Sequence, residues 1–174
     1  MKSQQLTMTP QDIVVLLKII TYGDELWFQK PMAEALHISQ SEISKSLMRL
    51  KYMALLDYTG KKVFKSALID FLQYGIRHVF PQQPGPIVRG IATSHSAPPL
   101  NQIIQSTENY VWPSAKGTMK GQSIIPLYPS VVEAVQKDYK LYELLALIDA
   151  LRVGKARERE IAISELKERI LNGK

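Results

Sequence analysis

KPMAEALHISQSEISKSLMRLKYMALLDYTGKK, residues 30–62, decides how this chain is read. Pro31 is tolerated in the first turn of a helix, and Ala33 and Leu36 then share its inner face. Ser39 and Glu42 stand at the S-x-x-E spacing of a capping box. There a serine oxygen accepts from the third helical amide and the glutamate reaches back. A new helix therefore starts three residues after Leu36, and Ile43, Leu47 and Leu50 keep its apolar spacing. Two helices meet across His37 and Ile38, with the small Ala33 where they cross. A helix-turn-helix needs this spacing, because the first helix braces a second that protrudes into the major groove.

The other positions of the second helix point outward. Gln40, Ser41, Ser44, Lys45 and Arg49 are types suited to DNA: glutamine for adenine edges, arginine for guanine edges, serine and lysine for phosphates or bases. The helix N-terminus adds partial positive charge toward phosphate. Beyond Leu55–Leu56, the residues DYTGKKVFK fit a tight turn at Thr59–Gly60, a short wing presenting Lys61, Lys62 and Lys65. The charge distribution agrees. The chain carries 22 Lys and Arg against 16 Asp and Glu, a net +6. Residues 1–60 are neutral, with six of each sign, whereas residues 61–80 carry four basic groups and one acidic. The densest positive excess directly follows the helix expected to read DNA, and such an excess favours a polyanionic partner.

The stretch KPMAEALHISQSEISKSLMRLKYMALLD resembles the helix-turn-helix of winged-helix bacterial transcriptional regulators, the MarR-like group in particular. The likeness covers roughly residues 10–80 and rests on Ala33, Leu36, Ile38, Ser39, Ile43, Ser44, Leu47 and Leu50. It implies a homodimer that binds operator DNA, with Gln40, Ser41, Ser44, Lys45 and Arg49 in the groove and Lys61 and Lys62 on phosphate. The chain departs from the pattern at two places. His37 stands where these motifs commonly have glycine, and the wing lacks an acidic residue followed by arginine.

Around this centre the chain falls into three parts. Residues 1–80 read as helical, with Thr9–Pro10 starting a first helix whose face is Ile13, Leu16, Leu17 and Ile20, and a fourth helix from about Ser66 to Val79. Residues 81–130 hold eight of the ten prolines and four of the nine glycines. That punctuation rules out long helices. Ile87, Val88, Ile91, Tyr110, Val111, Trp112, Ile124 and Ile125 are too many large apolar groups for a solvated linker, so the segment is expected to be ordered and extended, wrapping over the helices. Residues 131–174 return to helix. Asp138 is placed to cap a stripe of Leu141, Leu144, Leu145, Ile148 and Leu151, Gly154 interrupts it, and Ile163, Leu166 and Ile170 resume it. The expected fold is mainly α: an N-terminal winged helix-turn-helix, a Pro-rich ordered middle and C-terminal helices that dimerise or dock a partner. The run LYELLALIDALRVGKARER is similar to small bacterial antitoxins that accompany nucleotidyltransferase-like toxin enzymes, which implies restraint of such a partner as the alternative role.

Other classes receive little support. Hydrophobic residues make up 45% and charged residues 22%, as in ordinary globular proteins. No apolar run approaches the ~20 residues of a membrane span, and the segment MKSQQLTMTPQD lacks the apolar core of a secretory leader. With no cysteine there is neither a disulfide framework nor a thiolate site, which together favours a cytoplasmic protein. Ser94, His95 and Ser96 adjoin, but adjacent residues rarely face each other as nucleophile and base. His37, His78 and His95 show no metal spacing, and no glycine-rich phosphate loop or cofactor motif is present. The chain reads as a non-enzyme whose partner is double-stranded DNA.

Overall fold

In a computed structural model that describes residues 6–174, helices dominate. The first residues of the stretch judged not to be a leader lie outside the described residues. No helix is long and apolar enough to cross a membrane among those described.

Helix α1 (Pro10–Tyr22) starts as its sequence dictates: proline occupies the first turn, and the Thr9 amide donates to the Asp12 carboxylate at 2.9 Å. Its residues from Gln11 to Ile19 are all buried, so it is a central strut rather than an amphipathic surface helix. Helix α3 (Gln40–Tyr52) packs on it, and α2 (Gln29–Leu36) packs on α3. Half of the anticipated capping box forms. The Glu42 amide donates to Ser39 Oγ at 3.2 Å, while the Glu42 carboxylate takes the ammonium of Lys45 instead of reaching back. His37 adopts the left-handed conformation, φ 54° and ψ 41°. That conformation is why glycine is common at this place, and here a histidine bears the steric cost.

The fourth helix differs from expectation. It breaks at Gly75 into α4 (Lys65–Tyr74) and α5 (Ile76–Val79). A Cβ on Gly75 would press on the Phe71 ring and carbonyl, and the absent side chain lets the chain turn there.

The middle segment is ordered and more than extended. Strand β1 (Ile87–Ala92) pairs antiparallel with both β2 (Tyr110–Pro113) and β3 (Met119–Ser123). Ile91 lies opposite Trp112, and Val88 opposite Gly121. Strands β2 and β3 also meet in parallel, Tyr110 opposite Gln122, so the three close on one another. Gly90 and Gly117 permit this closure, since a Cβ on Gly117 would collide with the Gly90 carbonyl. Between β1 and β2, His95 is buried: its Nε2 lies 2.7 Å from the Glu108 carbonyl oxygen and its ring meets Tyr110 edge-on.

After the short α6 (Val131–Ala134), Asp138 caps α7 (Tyr139–Val153) by accepting from the Leu141 amide at 3.0 Å. Gly154 ends α7, and α8 (Ala156–Leu171) packs antiparallel on it. The stripe expected to dimerise or dock a partner is corrected here. Leu141, Leu144, Leu145, Ile148 and Leu151 are each at most 4% exposed within a single chain, as core of this protein itself. One apolar cluster runs through α1, α2, α3, α4, the sheet, α7 and α8 without interruption.

Three polar links cross that core. The Lys18 ammonium of α1 meets Asp138, the cap of α7, at 2.6 Å. Asp149 of α7 accepts from Thr93 Oγ1 at 2.7 Å and Trp112 Nε1 at 2.6 Å, and faces the Arg152 guanidinium at 2.8 Å. Tyr142 donates its hydroxyl to the Ala92 carbonyl, and burial pushes its phenol up to about 12. The Arg152 side chain is only 5% exposed, because Asp149 and the Phe80 carbonyl claim it.

Candidate nucleic-acid interface

Helix α3 buries Ile43, Ser46, Leu47 and Leu50 and turns most of the rest outward. Gln40, Ser41, Ser44 and Lys45 are exposed together along its N-terminal half, as their spacing requires. Two further residues complete the same face. Met48, 52% exposed, stands four residues after Ser44, and Tyr52, 70% exposed, one turn beyond it. Neither was foreseen as a site residue. The signal was there, because a methionine and a tyrosine at outward positions of an amphipathic helix have no packing reason to be apolar.

Arg49 does not join that face. Its Nε and Nη2 form a forked contact with the Asp12 carboxylate of α1, at 2.9 and 2.8 Å, and Nη2 also reaches Ser46 Oγ. Asp12 is fully buried, and its hydrogen bonds make the guanidinium still harder to deprotonate. A buried carboxylate must be paired, and Arg49 is the cation that pairs it. The expected guanine reader is thus an internal brace holding α3 on α1. Gln11 adds to the same junction, its Nε2 donating to Ser46 Oγ at 2.9 Å. Lys45 remains on the face, tethered at 3.0 Å to Glu42, whose carboxyl that hydrogen bond and charge hold below its ordinary range.

The basic turn is built on Asp57. Its carboxylate accepts from the amides of Lys61 and Lys62 and from the Thr59 hydroxyl, and these bonds, the Lys62 amide first, keep its pKa low. The backbone closes with the Asp57 amide on the Lys62 carbonyl and an isolated bridge between Leu56 and Val63. Gly60, at φ +75°, supplies the left-handed step at the tip. A Cβ built at Gly60 would lie 3.7 Å from the Lys51 side chain, so the turn runs close to the end of α3.

The two lysines of the turn part company. Lys61 folds back, donating to the Trp27 carbonyl at 2.8 Å and covering the Trp27 ring at 3.8 Å, a cation–π contact. Lys62 is exposed, and among the described residues its ammonium makes no ion pair. Tyr58, in the same turn, is 91% exposed. Of the seven positions expected on DNA, the structure groups Gln40, Ser41, Ser44 and Lys45 on α3 and leaves Lys62 open nearby. Lys61 and Arg49 are internally engaged.

No family model, curated protein or solved structure matches the chain.

Proposed function

We propose that the chain is a transcriptional regulator that binds duplex DNA as a winged helix-turn-helix. In this reading α2 is the brace, α3 enters the major groove and the turn at Asp57–Lys62 is the wing. The observation that carries the reading is the bare outer face of α3: a capped helix leaves Gln40, Ser41, Ser44, Lys45, Met48 and Tyr52 exposed, uncovered by any other element among the described residues. Control by repression, as a homodimer on a palindromic site, follows the same resemblance. A dimer would have to use a surface other than the α7 stripe, which is occupied. The same burial takes the α7 stripe out of reach of a partner enzyme as well.

The test is a fluorescence-anisotropy titration against the DNA upstream of the coding sequence, with a shuffled duplex as control and two salt concentrations. Preference for the upstream duplex, weakening with salt, is expected. Lys62→Ala should weaken both duplexes alike and reduce the slope of log K against log salt by about 0.9, one phosphate contact. Sequence-indifferent weak binding by the parent would discard the regulator reading.

The base preference follows from which side chains remain. With Arg49 withdrawn, no guanidinium is left on the α3 face for the O6 and N7 of guanine. Gln40 suits adenine, and the Met48 thioether suits the thymine methyl. Half-sites rich in A·T pairs are therefore expected. Replacing thymine by uracil in the half-site should weaken binding about fourfold per methyl contacted, from about 0.8 kcal/mol of lost burial. Met48→Ala, on a half-exposed position, should bind both duplexes equally. A parent protein indifferent to the methyl groups would show that Met48 contacts none.

A further inference from the structure

A cleft opens on the side of the molecule where the end of α1, the start of α4, the start of α7 and the end of α8 come together. Its volume is about 150 Å³, which is room for roughly one six-membered ring. Ile20 and the buried Leu144 give it apolar wall, and Tyr22 supplies an aromatic edge.

The charged lining is lopsided. Lys65, Lys140, Arg169 and Lys174 face Glu25 and Glu143, an excess of two positive charges. Two of these cations are already paired with carboxylates. Lys174 is held by Glu168, and Glu143 is held by Arg169. The ammonium groups of Lys65 and Lys140 form no ion pair among the described residues. Arg169 is fixed by Glu143 through Nε and by Glu165 through Nη1, so its plane is set. Its Nη2 donates to nothing among the described residues. A guanidinium immobilised through two nitrogens with a third left over, beside two unpaired ammonium groups, is a preorganised set of donors over a cleft of mixed polar and apolar lining. Polar groups few in number and convergent on an apolar wall are the makings of a small-molecule site.

The geometry points to a binding site for a small organic anion, a ring or short chain bearing a carboxylate or phosphate, with Arg169 Nη2, Lys140 and Lys65 on its charged group and Ile20 and Leu144 on its body. This site stands apart from the α3 face, and its existence does not depend on DNA binding.

Two-dimensional NMR of the 174-residue chain, titrated with benzoate, glutarate and phenyl phosphate at millimolar concentration, tests it. Saturable shifts are expected for at least one anion, centred on the amides of Thr21, Gly23, Lys140 and Leu144. Benzyl alcohol, of similar shape and uncharged, should leave those amides unmoved. Lys140→Gln, an exposed change that spares the core, should weaken the anion by about three- to tenfold. Lys116→Gln, remote from the cleft, should not. The proposal is overturned if none of the three anions shifts the cleft amides, if benzyl alcohol binds equally, or if Lys140→Gln binds as the parent does.

Discussion

Arg49→Ala is expected to destabilise the protein by about 3 kcal/mol, the usual loss when one member of a buried ion pair is removed. For a chain of this size that corresponds to a fall in Tm of roughly 6–12 °C. The reason lies in Asp12, whose side chain has no exposure at all and which loses both arms of the fork at once. The Thr9 amide remains on its carboxylate, but one neutral donor does not replace a guanidinium. The double variant Asp12→Asn/Arg49→Met should recover part of the loss, because no bare charge is then left inside. Thermal unfolding of the parent, the single variant and the double variant decides the matter. If Arg49→Ala melts with the parent yet binds DNA more weakly, Arg49 leaves Asp12 for a base in the complex, and its assignment as a brace fails.

Asp149→Ala should have a comparable effect, about 3–5 kcal/mol. The carboxylate is 1% exposed and serves three donors at once: the Thr93 hydroxyl, the Trp112 indole and the Arg152 guanidinium. Its removal orphans the Thr93 hydroxyl and the Trp112 indole inside the core and leaves Arg152, still held by the Phe80 and Ile125 carbonyls, as a nearly buried cation without a counter-charge. Burial pushes the Asp149 carboxyl up from its ordinary range, while Arg152 first, then Thr93 and Trp112, oppose that rise. Asp149→Asn keeps an acceptor but loses the charge opposite Arg152, so its cost should fall between the alanine variant and the parent. Trp112→Phe should cost less, since a single donor leaves. Urea denaturation of the three variants orders them, and an Asp149→Ala protein no weaker than Trp112→Phe would remove the node from the account of stability.

The elements that the sequence disclosed best are those governed by local rules. Thr9–Pro10, Ser39 and Asp138 each start a helix where their chemistry places them, and Gly154 ends one. The break at Gly75 was legible only in principle, because a lone glycine in a helical pattern is usually tolerated and the clash with Phe71 is a matter of three dimensions. What was missed depends on partners far along the chain. Asp12 and Arg49 are 37 residues apart, and Lys18 and Asp138 are 120 apart. No periodicity announces such pairs, so Arg49 looked like a free cation on an outward face. The burial of α7 was missed for a related reason: an apolar stripe reads the same whether it covers the chain's own core or awaits a partner. One clue lay in LLALIDAL, where a single acid among large apolar residues is either exposed at great cost to the stripe or buried with its own donors. The structure takes the second course. For the candidate interface, the sequence located the helix and its outward half but not Met48, Tyr52 or the anchoring of the turn by Asp57.

Helix α1 carries a buried acid near its start and a nearly buried base near its end, on opposite errands. Asp12 grips α3 through Arg49, and Lys18 grips the cap of α7 through Asp138. The helix behaves as a tie rod: its length fixes the spacing of its two anchors, and it has no wet side along which it can slide. The tilt of α3 is thus inherited from the tail, although the two share no sequence neighbourhood. A graft that moved residues 30–62 onto another scaffold would carry the surface of α3 but not its bearing, and the punctuation near residues 80 and 130 marks changes of texture rather than places to cut.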